Sequence, residues 1–378
     1  MQYRRFGSCD FDVSTLGFGL MRLPLEGEDS ADIDEAESTR MVHRAIEGGV
    51  NYLDTAYAYH GGNSERFAAR AFAGGLRERI VLATKMPTWL IETEEDFDRY
   101  LDEQLEKLGT DYLDVYLLHA LHAERWKQVS ELGVTAFLDR ALEDGRVRHV
   151  GFSFHDDLEV FREIVDSYDW DMCLIQLNFM DRDYQAGVAG MRYAAEQGMA
   201  VAVMEPLRGG KLAGRVPDDV RELWAGAEVQ RTPAEWALRW VCNHPEVSVV
   251  LSGMSSMEQL EENMETVSHA RPNSLTDDEL ALIDEVRDIY LSRMKVNCTE
   301  CGYCVPCPSE VAIPRVFGLY NDASMYESVE GASRSYSSML ESGKGAPSCV
   351  ECGQCEEACP QDIPIIETLK RAHEYLTG

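Results

Sequence analysis

The chain alternates short apolar runs with longer stretches whose apolar residues recur at helical spacing. The apolar runs fall at 15–19, 51–54, 80–85, 115–119, 149–153, 172–177, 200–204 and 247–251. Runs of this length and continuity read as strands buried on both faces. Between most of them lie helical patterns, such as 96–108 (DFDRYLDEQLEKL), 158–167 and 234–242. Eight strands interleaved with helices predict a closed (β/α)8 TIM-type barrel over residues 1–290. The alternative, an open doubly wound sheet, is supported by a GxGxxG turn after the first strand, and the sequence contains none. Barrel chemistry gathers at the C-terminal ends of the strands. There the sequence places Asp54, Lys85, His119, Ser153 and Gln176.

From about residue 291 the pattern changes and cysteine takes over. Eight of the eleven cysteines stand in two runs, CTECGYCVPCP (Cys298, Cys301, Cys304, Cys307) and CVECGQCEEACP (Cys349, Cys352, Cys355, Cys359). Each run ends on proline and is followed by an Ile-Pro pair, Ile313-Pro314 and Ile363-Pro364, as in a duplicated unit. Cysteines two residues apart aim successive thiolates at different irons of one cubane, and thiolate is the soft anionic ligand that iron requires. In two-cluster ferredoxins the cysteine before the proline serves the other cluster. That logic predicts two [4Fe–4S] clusters. One takes Cys298, Cys301, Cys304 and Cys359, the other Cys349, Cys352, Cys355 and Cys307. The second run keeps the bacterial ferredoxin spacing, whereas the first has two residues rather than three before Cys307. Zinc knuckles come as two separate pairs, and disulfides need an oxidising compartment, so iron–sulfur is the better reading. Residues 291–378 thus form a small ferredoxin-like domain. In the 41 residues between the runs, a helix is expected over 314–329, with breaks at GASRS (331–335) and SGKGAPS (342–348). The isolated Cys9, Cys173 and Cys242 read as small buried apolar residues.

Charge and length narrow the partners. The net charge of −32, from 67 acidic and 35 basic residues, repels phosphate backbones and argues against nucleic acid. The N-terminus MQYRRFGSCDFDV carries no secretory signal, and no apolar stretch reaches the ~18 residues of a spanning helix. A cytoplasmic protein without membrane contact is expected.

The ordered set DTAYAY (Asp54–Tyr59), Ser64-Glu65, TK (Lys85), LLH (His119), GFS (Ser153), QLN (Gln176–Asn178) and PLRGGKL resembles the aldo/keto reductase superfamily. The whole chain resembles its branch with a C-terminal ferredoxin-type domain. The resemblance implies a catalytic tetrad of Asp54, Tyr59, Lys85 and His119. Free tyrosine is too weak an acid for neutral pH, so Lys85, held by Asp54, is expected to lower the Tyr59 pKa. His119 is expected to orient a carbonyl oxygen. The resemblance also implies a nicotinamide site. Ser153 and Gln176 would hold the carboxamide, Leu207, Gly209 and Gly210 the pyrophosphate, and Ser252, Gly253 and Asn263 the adenosine end, with Asn178 also among the cofactor contacts. Phe154 and Met204 depart from the family pattern. Gly253 and Gln259 stand where NADPH-specific members carry cations, which favours NADH over NADPH.

The implied function is reduction of a small aldehyde or ketone by NAD(P)H, coupled to the clusters and, through them, to a redox partner protein. Nicotinamide moves two electrons and each cubane one, and the sequence shows no flavin motif to join them. Two alternatives stay open: an enzyme whose clusters, rather than nicotinamide, supply the barrel with electrons, and a ferredoxin-like interaction subunit with an idle barrel.

Overall fold

The structure, a computed structural model, describes residues 1–214, 216–298 and 302–378. It contains two compact units, Met1–Gly210 with Ala234–Thr276, and Lys211–Pro233 with Asp277–Gly378. The helix Asp277–Ser292, which spans the expected boundary at residue 290, belongs to the second unit.

The first unit opens with a hairpin, β1 (Tyr3–Arg5) and β2 (Asp12–Ser14). Eight parallel strands follow: β3 (Leu16–Gly19), β4 (Tyr52–Asp54), β5 (Val81–Met86), β6 (Leu113–Leu121), β7 (Val147–Phe154), β8 (Met172–Gln176), β9 (Ala200–Met204) and β10 (Val247–Ser252). Each pairs with the next, and β10 returns to pair with β3, closing the barrel. All eight expected strands are present, with ends shifted by one or two residues in most.

Successive strand residues point to opposite faces, so every second residue lines the interior. Tyr52, Ala83, Leu117, Leu174 and Ala202 share one buried cluster inside the barrel. Two residues further along the same strands stand Asp54, Lys85, His119, Gln176 and Met204. The alternation that builds the core therefore sets the polar residues as its next layer up, at the C-terminal rim. Glycine makes room for the larger core residues. A Cβ at Gly17 would meet Tyr52 and Val249, and one at Gly151 would come within 2.4 Å of the Met172 carbonyl oxygen.

The hairpin escaped the sequence reading. It brings Phe6 and Val13, both fully buried, into contact with the barrel interior at the N-terminal end. The Phe6 ring packs 4.9 Å from Phe11 and 6.2 Å from Tyr52. Cys173 and Cys242 are buried as expected, but Cys9 is half-exposed beside His149 and Asp171. Its position in the hairpin turn keeps it out of the apolar core.

In the second unit the helices Ile313–Met325, Val329–Glu341 and Ile365–Thr377 pack around Val316, Phe317, Tyr336, Leu369 and Ala372. The break expected at 331–335 is absent. Gly331 lies in the first turn of the helix Val329–Glu341, and Ala332 and Tyr336, four residues apart, bury one face of it. The chain instead turns at 326–328. The second expected break holds, with Gly343 in the left-handed conformation (φ 71°).

Candidate functional site

Four side chains from three strands and one loop converge at the rim of the first unit. Lys85 is almost wholly buried, and its Nζ donates to Asp54 Oδ1 at 2.5 Å, the Thr55 carbonyl at 2.8 Å and the Tyr59 hydroxyl at 3.2 Å. Gln104 holds the Lys85 carbonyl from the far side. Tyr59 follows β4 in a tight loop that requires left-handed backbone at His60 (φ 53°). The His60 ring bonds the Ser30 carbonyl at 2.7 Å and Asn63 bonds the Ala31 carbonyl, which fixes that loop and with it Tyr59. Ser64 and Glu65 serve the same scaffold. Ser64 bonds Thr55 at 2.8 Å, and Glu65 accepts from Thr84 and Gln104.

His119 lies near the end of β6, its ring edge-on to Tyr59 at 6.0 Å and tilted against Trp89 at 5.1 Å. Thr88 holds the His119 carbonyl at 2.6 Å. The buried Nδ1 of His119 and the Oδ2 of Asp54 have no hydrogen-bond partner among the described residues.

The electrostatics correct one expectation. Burial pushes the Tyr59 phenol above its ordinary value; Lys85 offsets part of that rise, and Asp54 adds to it. The net direction is up, because desolvation of a phenolate outweighs one ammonium whose charge is shared with a carboxylate. Burial works to lower the Lys85 pKa, but Asp54 and then Tyr59 hold it above its ordinary value, so the ammonium is charged. Burial, then Lys85 and His155, hold the His119 imidazole well below 6.5, so it is neutral at physiological pH.

The residues assigned to nicotinamide separate into groups. Ser153 Oγ, at the rim, accepts from the Ala120 amide at 2.7 Å, and its own hydrogen has no acceptor among the described residues. Gln176 donates to Asp181 at 3.2 Å. Asn178 is fully buried and spends its side chain on the loop. It donates to Asp181 and the Glu205 carbonyl and accepts from the Met180 and Asp181 amides. Arg208 also pairs with Asp181. Asp181, which carries no spacing signal in the sequence, is thus the hub that positions Gln176. Leu207 is half-buried, whereas Gly209 and Gly210 are exposed and left-handed, with open space where a Cβ would stand. That exposes backbone to a ligand's approach. Where the adenosine end is expected, Asn263 donates to Ser252 at 3.1 Å. Gln259 accepts from Ser255, and the stem of Arg22 lies against Gly253. Arg22 therefore brings a cation to a place where the sequence reading saw only neutral residues. These donors, bare glycines and one cation fit a dinucleotide.

In the second unit the cysteines gather at two pockets. One is lined by Cys298, Cys304 and Cys359 with Ile313, Phe317 and Pro360. The other is lined by Cys307, Cys349, Cys352 and Cys355, together with Cys304, which lines both. Cys301 lies outside the described residues. The last cysteine of each run therefore enters the pocket of the opposite run. The Cys349 sulfur accepts the Glu351 amide at 3.4 Å, the polarity a cluster-bound thiolate takes. All ten described cysteines are free of disulfides. An apolar lining, all-sulfur donors and an amide aimed at sulfur fit iron–sulfur clusters.

Each part of the chain matches a known family. The model "Aldo/keto reductase family" matches residues 15–288, and "4Fe-4S dicluster domain" matches 297–363. The chain is 27% identical to "Uncharacterized oxidoreductase YqkF" of Bacillus subtilis, over 77% of this chain and 98% of that protein. It is 24% identical to the "NADH-specific methylglyoxal reductase" of Escherichia coli, over 68% of this chain and 91% of that protein. The solved structure of the aldo-keto reductase AKR11C1 from Bacillus halodurans, holo form, superposes with a TM-score of 0.64 at 28% identity. It covers 75% of this chain and 96% of its own. No helix among the described residues is long and apolar enough to cross a membrane.

Proposed function

Because the chain belongs to the aldo/keto reductase family and carries a 4Fe-4S dicluster domain, we propose that this oxidoreductase reduces a small aldehyde or ketone at the rim of its barrel, with Tyr59 as proton donor. The observation that carries the reading is Lys85 Nζ, at 2.5 Å from Asp54 and 3.2 Å from the Tyr59 hydroxyl. Nicotinamide, when bound, supplies hydride to the carbonyl carbon, and the carbonyl oxygen then needs a proton. Tyr59 holds one at neutral pH, as any phenol with a pKa of about 10 does, and burial raises its pKa further. As the proton leaves, the Lys85 ammonium stabilises the phenolate, and Asp54 keeps that ammonium charged and in place. His119, neutral, can donate a hydrogen bond to the carbonyl oxygen without adding a second cation beside Lys85.

Ser153 and Gln176 would hold the carboxamide, Gly209 and Gly210 the pyrophosphate, and Ser252, Gly253 and Asn263 the adenosine end. Asn178 would act through the loop it ties down. Gly253 and Gln259 favour NADH, and Arg22 keeps that preference small. Two clusters, one per pocket, would carry single electrons to a redox partner protein. The crossed cysteine linings support that count.

The test uses anaerobically purified, cluster-loaded protein. NADH and NADPH are titrated calorimetrically, and nicotinamide oxidation is then followed against small aldehydes and ketones, methylglyoxal included. Tyr59→Phe should lower turnover by about 10²–10⁴ while leaving nicotinamide affinity unchanged. Undiminished turnover would remove Tyr59 from its role. Failure of both nucleotides to bind would favour electron supply by the clusters.

A further inference from the structure

At the N-terminal end of the barrel, opposite the rim that carries the tetrad, three potential ligands of different chemistry meet. Cys9 sits in the turn between β1 and β2, His149 is the third residue of β7, and Asp171 immediately precedes β8. Cys9 Sγ stands 3.6 Å from His149 Nδ1 and 3.4 Å from Asp171 Oδ1, and those two atoms are 3.3 Å apart. We propose that Cys9, His149 and Asp171 bind one divalent zinc ion, with water completing a tetrahedral site.

The triangle has the dimensions of such a site. Zinc bonds of roughly 2.3 Å to sulfur, 2.0–2.1 Å to nitrogen and 2.0–2.2 Å to oxygen, set at the tetrahedral angle, put the ligand atoms about 3.4–3.6 Å apart. The three observed edges match within about 0.2 Å, so the residues need no rearrangement to take the ion. Charge also balances. One thiolate and one carboxylate neutralise a dication, imidazole binds uncharged, and binding releases the Cys9 thiol proton.

The surroundings hold each ligand in place. The Asp171 Oδ2 accepts the Val150 amide at 2.8 Å, and its backbone bridges Val150 and Ala200. The His149 ring lies 5.0 Å from Phe11 and 6.1 Å from Phe6. Cys9 is fixed by its amide bond to the Phe6 carbonyl and by the Ser8 amide bond to Gly198. Outer contacts of this kind orient a metal's ligands and raise its affinity. Bound there, the ion would staple the hairpin that plugs the barrel to two of its strands. All three residues are half-exposed, which leaves a path for the ion and its water.

The test uses cluster-loaded, anaerobically prepared protein with its iron content verified before and after. Cobalt(II) is titrated in as a spectroscopic probe and then displaced by zinc(II). The expected result is one cobalt per chain, with thiolate-to-cobalt charge-transfer absorption and the intense visible bands of tetrahedral geometry. Cys9→Ser and His149→Gln should each weaken binding at least tenfold, and Cys9→Ser should abolish the charge-transfer band, with cluster iron and far-ultraviolet dichroism unchanged. Zinc should raise the thermal midpoint of the barrel in the parent protein and not in either variant. Absence of a stoichiometric cobalt signal from the parent protein overturns the proposal, and so does binding that neither substitution alters. If Cys9→Ser does not fold, Asp171→Asn decides by the same loss of affinity.

Discussion

Replacing Lys85 with methionine removes the ammonium and keeps most of the volume of its stem. At 3.2 Å, and with the effective dielectric of about 20 that suits protein sites, a full phenolate charge on Tyr59 gains about 5 kcal/mol from that ammonium. A transition state carrying half the charge gains about 2.5 kcal/mol. At 1.4 kcal/mol per factor of ten, the loss in turnover should lie between about 10² and 10⁴. The assay is nicotinamide oxidation under a saturating small aldehyde, with cofactor affinity measured separately by calorimetry. Turnover should collapse while cofactor affinity changes little, since the Lys85 ammonium bonds only Asp54, Thr55 and Tyr59 among the described residues. The variant must first be shown to fold, because Asp54 is left buried without its partner. A Lys85→Met protein that folds and keeps turnover within about fivefold of the parent would refute the role given to the ammonium.

Three further predictions follow from buried charge and from the crossed pockets. His119 is held below 6.5, so between that value and its folded one the unfolded chain binds the extra proton, and stability rises with pH across the window. His155 and His244 are shifted the same way, so His119→Gln should flatten only part of that slope in denaturant titrations from pH 5 to 7; an unaltered slope counts against it. Asp114 accepts from Arg77 at 2.7 Å, Arg148 at 3.0 Å and the Leu82 amide at 3.0 Å; Asp114→Ala should cost ~3 kcal/mol, and a loss under ~1 kcal/mol would show the ion pairs to be idle. Cys307→Ala should disturb the cluster held by Cys349, Cys352 and Cys355 and spare the other, by iron analysis and electron paramagnetic resonance. Loss of the cluster at Cys298 and Cys304 instead would reverse the assignment.

The barrel was legible because its strands are continuous apolar runs, and because the two-residue alternation carries Asp54, Lys85 and His119 at or near strand ends. The hairpin was not. Its strands are three residues long, and Tyr3, Arg4 and Arg5 show no buried face to read. The helix through 331–335 was hidden by glycine and serine, which signal a turn locally but are tolerated in a first helical turn once Ala332 and Tyr336 have a core to enter. Residue types pointed to Lys85 acting on Tyr59, yet the direction of the Tyr59 shift depends on burial. Arg22 gave no signal because its contact with Gly253 joins segments after β3 and β10, distant in sequence and adjacent in the barrel; Asp181 gave none because one acidic residue in a loop reads as solvated. The same is true of Cys9, which looks isolated until β7 and β8 bring His149 and Asp171 beside it.

The crossed cysteine linings bear on how the second unit is built. Cys359 lies in the pocket of the first run and Cys307 in that of the second, with 41 residues between the runs. Neither pocket can gather its sulfurs until both runs have been synthesised and brought together. Assembly is thus a joint event, in which neither site is completed by the run that begins it. A chain cut short before Cys359 would leave the pocket of the first run short of one sulfur, so damage to one run is felt at the other.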